Sequence, residues 1–466
     1  MKRFLKLGLG LLIASSLFVS CSDDDDNAMP NLSVNNGIVL ENSATAAITG
    51  SELNVVDTDT DDIDIIYTVT IAPENGFLAN TADITTSVAN FTQADLTASK
   101  IVYVHDGSQT LTDEFSFTVT DGDNVLTGIF NISIGEKQIG YFYVLNEGNS
   151  NGSVTMINRN DEVTNNYFSS ANSSVALGQY PQSMAINDEY AFIVVTTASG
   201  AGYVEVVTAS DFVHYATIDG LSYPREIAFA NGKAYVSNGN GADANYSKQN
   251  NEVYVIDLKT MNKTGQIAVG AGPEKMIVSG DKLYVANSGG WSNDDNTVSV
   301  IDVDTDKVVE TVTVKSCPKD LVVDANGNVW VYCGGAPDYS NYPNVTYVNA
   351  GISKINTSSS AVTSYDLSNL TTTGIKNIAI SKDEKTVYFM SDAVYEMNIT
   401  DTALPTAKFI DATFYGMDVN PVNGNLWLCE STGATTPGKV HVYSPQADKI
   451  KDFTVGGAPN STVFRY

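Results

Sequence analysis

The sequence predicts an all-β protein in two parts, the larger being a closed ring of four-stranded sheets. Three observations lead there. The stretch Leu283–Val314, LYVANSGGWSNDDNTVSVIDVDTDKVVETVTV, divides into three short runs rich in β-branched residues, parted by polar turns. Its last two runs flank DVDTDK, an Asp-rich hairpin turn. The phrase also recurs, with Pro181, Pro224, Pro273 and Pro318 lying 43, 49 and 45 residues apart and degenerate copies starting at Lys376 and Tyr415. A period of that length is one four-stranded sheet per repeat. Finally, charged residues make up only 17% of the chain, Thr, Val and Tyr are plentiful, and no run has the periodicity of an amphipathic helix.

Within each repeat the strands are lettered A to D from the inside out. Inner A strands are predicted at 183–187, 226–230, 275–279, 320–324, 377–381 and 415–419. Tyr141–Asn146 reads as a B strand with no A strand before it, and Ala458–Tyr466 as an A strand with nothing after it. Together they complete one more sheet, so residues 139–466 are predicted to form a seven-bladed β-propeller closed by pairing the C-terminus with its start. Closure removes the open sheet edge that invites aggregation. Tyr284-Val285-Ala286-Asn287, Asn296-Thr297-Val298-Ser299-Val300-Ile301-Asp302 and Lys307-Val308-Val309 resemble the YVTN repeat of β-propeller proteins, also called the surface-layer or YncE-like repeat.

At the N-terminus, Lys2, Arg3 and Lys6 precede an apolar run from Leu7 to Val19, the layout of a secretory signal over residues 1–20. The run is too short to span a bilayer as a finished helix. Leu17-Phe18-Val19-Ser20-Cys21 resembles a bacterial lipobox, with Phe18 a departure from the usual aliphatic residue. That resemblance implies lipidation of Cys21 and attachment to a membrane by several acyl chains; the plainer reading is an ordinary signal peptide. Residues 21–36 form an acidic tether. Its Asp23–Asp26 run is either a solvated spacer or, by resemblance, the export signal of surface lipoproteins, implying an outer-membrane protein facing the cell exterior. Formal charge is −29 and becomes more negative when residues 1–20 leave, which disfavours nucleic acid.

Residues 37–136 are predicted to be a separate small β domain, with apolar–polar alternation in Ile65–Ile71 and Phe115–Thr120. The phrases Phe91-Thr92-Gln93-Ala94-Asp95-Leu96, Ile101–Ser108 and Phe115–Gly122 resemble the chondroitin-sulfate-proteoglycan repeat, a cadherin-like β-sandwich. In that family the strand phrase containing His105 is structural. Asp57, Asp59, Asp61 and Asp62 could gather oxygens around Ca²⁺ or simply form a solvated acidic turn.

Chemistry-bearing motifs are missing from the sequence. His105, His214 and His441 stand in different repeats without metal-ligand spacing, and there is no GxSxG, P-loop or Cys–His pairing. The expectation is a binding protein with no catalytic residues. Of the four cysteines, Cys317 and Cys333 flank one A–B hairpin, as a disulfide or as buried thiols.

The B–C and D–A connections share one face around the channel, and the B–C loops at 238–250, 287–296, 333–350 and 429–438 are long. Long loops on a rigid scaffold are where function concentrates. They carry Tyr180, Tyr223, Arg225, Tyr246, Trp291, Tyr339, Tyr342 and Tyr415, while Lys275, Lys319 and Lys376 are expected at equivalent D–A positions. Aromatic faces with amide and cationic donors suit a large, flat, partly polar ligand. Lipidation, YVTN-type blades and this loop face resemble the surface propeller lipoproteins that capture cobalamin above an outer-membrane transporter. The resemblance implies a corrinoid ligand and a TonB-dependent transporter as partner; the rival expectation is an adhesion or glycan-binding surface protein.

Overall fold

A computed structural model describes residues 27–41, 45–108, 110–135, 140–187, 189–239, 251–367 and 377–465, with the backbone alone at Trp291. Cys21, Tyr246 and Lys376 lie outside the described residues. The chain divides into two compact units, residues 1–137 and 138–466.

In the first unit, a five-stranded sheet runs in the order Ile38–Glu41, Val125–Gly135, Thr112–Thr120, Ile66–Ile71, Asn90–Thr92. A four-stranded sheet runs Thr45–Ile48, Ile101–His105, Gly76–Asn80, Asp83–Ser87, and Asn31–Asn35 pairs with Leu53–Val56. Alternation places Phe115, Phe117 and Val119 inward, where they join Tyr67, Tyr103 and Phe130 in one core. Buried Asp113 accepts from the Tyr103 hydroxyl at 2.8 Å and from the Glu74 and Asn75 amides at 3.0 Å, so its charge is fully hydrogen-bonded. The phrase FTQADL folds as the short helix Gln93–Thr97, started by a capping box between Thr92 and Asp95. His105 is buried and accepts at Nδ1 from the Gly107 amide, a structural role.

The described residues of the second unit form seven sheets of three or four strands and one two-stranded sheet. Their middle strands, such as Lys282–Asn287, are buried on both sides because neighbouring sheets stack face to face. Alternation sends Leu283 and Val285 against Tyr235 and Val253 of the sheet before, and Tyr284 and Ala286 against Val329 and Val331 of the sheet after. Such a core lies between each neighbouring pair, the last between Trp427 and Val440 of the final sheet and Val144 and Ile157 of the first. The ring closes where Pro459–Arg465 pairs antiparallel with Tyr141–Asn146, Tyr141 opposite Arg465 and Val144 opposite Thr462. The unit is a β-propeller whose first sheet is built from both ends of its chain. The sheet Ile378–Ile380, Thr386–Met390, Val394–Asn398 has three strands among the described residues.

One local feature was not expected, and another decides between two expectations. The 333–350 loop contains a hairpin, Ala336–Asp338 with Thr346–Val348, nucleated by an Asp338 side chain that caps the Ser340 amide at 2.9 Å. Cys317 and Cys333 are buried free thiols, and Cys317 Sγ donates to Asn293 Oδ1 at 3.1 Å.

Candidate functional site: the channel mouth of the propeller

Five of the inner strands, those that begin with proline, enter the ring through a pinned turn. The residue before the inner-strand proline has a left-handed backbone at Tyr180, Tyr223, Gly272, Cys317 and Ala458, with φ of 40°, 48°, 59°, 58° and 50°. Its carbonyl accepts from the residue that ends or follows the B strand: Thr196 to Tyr180 at 3.2 Å, Gly239 to Tyr223 at 2.8 Å, Ser288 to Gly272 at 2.9 Å, Gly334 to Cys317 at 2.8 Å, and Glu147 to Ala458 at 2.9 Å. Left-handed backbone at non-glycine residues persists only where the surroundings over-determine it, and such residues cluster at ligand clamps. Here the repeat fixes it, giving a stiff rim.

The residues just after these prolines line a polar cavity of about 140 Å³. Its wall comprises Gln182, Arg225, Glu226, Glu274, Lys275, Lys319, Asp320 and Asn460 from five inner strands, with Glu147 and Asn293 from B–C connections. Register sets the charges in two levels. Pro224, Pro273 and Pro318 pair with Asn238, Asn287 and Cys333, so Arg225, Glu274 and Lys319 are equivalent, as are Glu226, Lys275 and Asp320. Lys275 therefore does not occupy the position of Lys319, contrary to expectation; it stands one residue farther along, at the level of Glu226 and Asp320.

Within each level, opposite charges from neighbouring sheets meet. Arg225 Nε donates to Glu274 Oε2 at 2.9 Å and Nη1 donates to Gln182 Oε1. Lys275 Nζ donates to Glu226 Oε2 at 3.2 Å. Asp320 Oδ2 accepts the Asn377 and Ile378 amides at 3.0 and 3.3 Å. Asp418 Oδ2 accepts the Thr462 amide at 2.7 Å, and Asn460 Nδ2 donates to the Pro181 and Gln182 carbonyls at 3.1 and 3.3 Å. These contacts hoop the inner strands together. The Glu274 carboxylate holds the Arg225 pKa above its ordinary value.

The expected residues separate into distinct roles. Arg225, Lys275 and Lys319 line the cavity. Tyr415 borders it through its hydroxyl, which donates to Glu147 Oε2 at 2.7 Å, and burial raises the phenol's pKa. Tyr180 reaches Asn149 Oδ1 at 3.3 Å, and the Tyr223 ring packs so tightly on Gly200 that an added Cβ would meet it at 2.1 Å. Tyr339 and Tyr342 stand 62% and 79% exposed on the hairpin connection, which leaves the B strand beside Lys319. Glu226, Glu274, Asp320 and Asn460 were not expected. Their signal was present in the alternating charge order of Pro224-Arg225-Glu226, Pro273-Glu274-Lys275 and Pro318-Lys319-Asp320.

In the first unit, Asp57 Oδ1 caps the Asp59 and Thr60 amides at 3.0 and 3.2 Å, Asp59 Oδ2 accepts the Ala28 amide at 2.7 Å, and Asp62 Oδ2 accepts from Thr97 at 3.3 Å. Hydrogen bonding within the turn lowers the Asp57 pKa. Among the described residues, no three His, Cys, Asp or Glu side chains converge into a metal-sized cluster.

Comparison with known proteins places both units. A family model described as cadherin-like matches residues 30–134, and one described as a domain of unknown function (DUF5074) matches residues 140–464. The chain belongs to this DUF5074 family. Its cadherin-like unit is similar to extracellular-matrix proteins: 35% identical over 124 residues to the extracellular matrix organizing protein FRAS1 of Homo sapiens, and 36% over 112 residues to extracellular matrix protein 3 of Lytechinus variegatus. Those alignments cover 26% and 24% of this chain but 3% and 4% of the relatives. Among solved structures, a quinonprotein alcohol dehydrogenase-like protein of Bacteroides thetaiotaomicron superposes with a TM-score of 0.52 at 14% identity, covering 93% of this chain and 99% of its own. At that identity the likeness shows the fold alone.

Proposed function

We propose that this DUF5074 protein is a non-enzymatic capture protein of the bacterial cell surface. In this reading it is anchored to the outer membrane through lipidated Cys21 and takes its ligand on the loop face of the propeller. The ligand it fits best is a corrinoid, cobalamin first, passed on to a TonB-dependent transporter. One observation carries the reading: side chains of five inner strands converge on a polar cavity at the channel mouth, beside a connection that exposes Tyr339 and Tyr342. A corrin offers a broad apolar ring for aromatic side chains and a fringe of amides for alternating donors and acceptors. Calorimetry with cobalamin tests it. Tyr339→Ala and Trp291→Ala should each cost about 2 kcal/mol of binding energy, while Asp304→Ala, in a turn at the opposite end of the strands, leaves affinity unchanged. No binding by the wild type at micromolar protein removes the corrinoid, and equal loss in the Asp304 variant removes the choice of face.

A second reading follows from the cadherin-like unit, whose similarity is to extracellular-matrix proteins. In it the protein is an adhesion or glycan-binding surface protein. Retention on a glycan array that survives deletion of the propeller, with no cobalamin binding, decides for it.

A further inference from the structure

The cavity of about 140 Å³ has room for a small polar group of a ligand whose remainder lies on the loops outside. The charges decide which group. Arg225 is engaged by Glu274 and Gln182, and Lys275 by Glu226. Glu147 accepts from Tyr415, and Asp320 accepts from the Leu321, Asn377 and Ile378 amides. Lys319 differs: among the described residues no carboxylate lies within ion-pair distance of its ammonium. Its stem lies along Gly334, where an added Cβ would come 3.4 Å from Lys319 Cε, and it borders the Cys317 thiol. A bound divalent cation is the poorer fit, because the lining carboxylates sit on different strands with separate partners and form no three-membered cluster among the described residues.

An ammonium in a concave site seeks an acceptor, and a charged oxygen gives it the strongest hydrogen bond. We propose that the channel mouth is an oxyanion subsite in which Lys319 Nζ takes one phosphate or carboxylate group carried by a larger ligand. Arg225 and Lys275, neutralised by their glutamates, serve as wall. The proposal rests on the ligand-capture reading for the remainder of the molecule; with cobalamin the group is its phosphodiester.

Inorganic phosphate and acetate, titrated into the purified full chain at low ionic strength, test the subsite without any corrinoid. Phosphate should bind saturably and protect Lys319 from acetylation by acetic anhydride, read by mass spectrometry on the wild type. Lys319→Met should weaken binding about 10- to 100-fold, Lys319→Arg should retain most of it, and Lys307→Met, on an exposed strand start at the opposite end, should change nothing. Acetate displacing phosphate assigns the same subsite to carboxylates as well. The subsite is overturned by unsaturable phosphate binding, by absent protection of Lys319, or by equal loss in Lys307→Met. Cobalamin bound equally by wild type and Lys319→Met overturns the subsite and leaves the corrinoid reading standing. Phosphate held at Lys319 with no cobalamin binding overturns the corrinoid and leaves the subsite.

Discussion

Arg225 Nε donates to Glu274 Oε2 at 2.9 Å from the position its own repeat shares with Glu274, one sheet farther round the ring. The bond ties two inner strands at the level where a ligand would arrive. Its strength is limited, because the Arg225 side chain is 37% exposed and Glu274 is 20% exposed, so water and salt screen the pair. Glu274→Ala should lower stability by about 1 kcal/mol or less, with most of the difference vanishing at high salt. Denaturant midpoints at low and high salt measure this; a loss that salt leaves untouched would mean the side chain acts by packing.

Glycines on three C strands, or just before them, make room for prolines. A Cβ added to Gly152, Gly202 or Gly438 would lie 2.1, 2.2 and 2.3 Å from Cδ of Pro181, Pro224 and Pro459, each the first residue of the next inner strand. A proline ring cannot swing away, so the backbone must move. Gly202→Ala should destabilise by about 1–3 kcal/mol, as overpacking does. Gly265→Ala, whose added Cβ meets only Val255 at 3.9 Å, should stay within about 0.5 kcal/mol. Equal effects in chemical denaturation would refute the interlock.

Acid should loosen the A–B and C–D turn end of the sheet that contains Asp302. Lys282 Nζ donates to Asp302 Oδ2 at 2.9 Å, and Thr305 donates to Oδ1 through its hydroxyl at 2.8 Å and its amide at 2.9 Å. These bonds, the lysine's first, lower the Asp302 pKa to about 2. A depressed folded-state pKa contributes stability that is complete above the unfolded carboxylate value near ~4 and is lost as pH falls through the folded value. Asp302→Asn should therefore flatten the stability profile between pH ~4 and ~2 relative to wild type and leave its shape above that window unchanged. Parallel curves through the window would contradict the assignment.

Much of the fold was legible because strand alternation and the repeat agree. Tyr141–Asn146 is a strand with the expected bounds, and the C-terminal strand pairs with it. The site was less legible for two physical reasons. Sequence shows which residues are polar, but not whether a charge has a partner in the next repeat: Arg225 and Lys275 read as ligand donors, yet their glutamates stand 49 and 49 residues away. Equally, sequence does not show whether the asparagine that ends the repeat phrase has its amide bound within its own sheet. Asn287 is fully buried, and its Nδ2 donates to Thr297 and Ser299 of the adjoining strand at 3.0 Å. The 336–348 hairpin was hidden for another reason, since three-residue strands leave too short a pattern to read.

Removing everything after Gly457 should abolish the folded propeller. Pro459–Arg465 is the innermost strand of the first sheet, and it touches three neighbours at once. It pairs along its length with Tyr141–Asn146. Asn460 donates to the Pro181 and Gln182 carbonyls of the next inner strand, and the Thr462 amide donates to Asp418 of the previous one. Phe464 packs edge-on against Trp427 and Phe142, in the core between last and first sheets. Truncation thus opens a sheet edge, uncovers that core and strips buried backbone groups of partners, each a recognised cause of aggregation or large destabilisation. A milder variant separates ring closure from chain length: Thr462→Pro removes the amide that Asp418 accepts and puts a proline inside a paired strand. Both proteins should lose the cooperative melting transition of the second unit, followed by near-ultraviolet circular dichroism, while the separate core of residues 1–137 keeps its own. A truncated chain that melts at the wild-type temperature would show that the ring does not depend on its last strand.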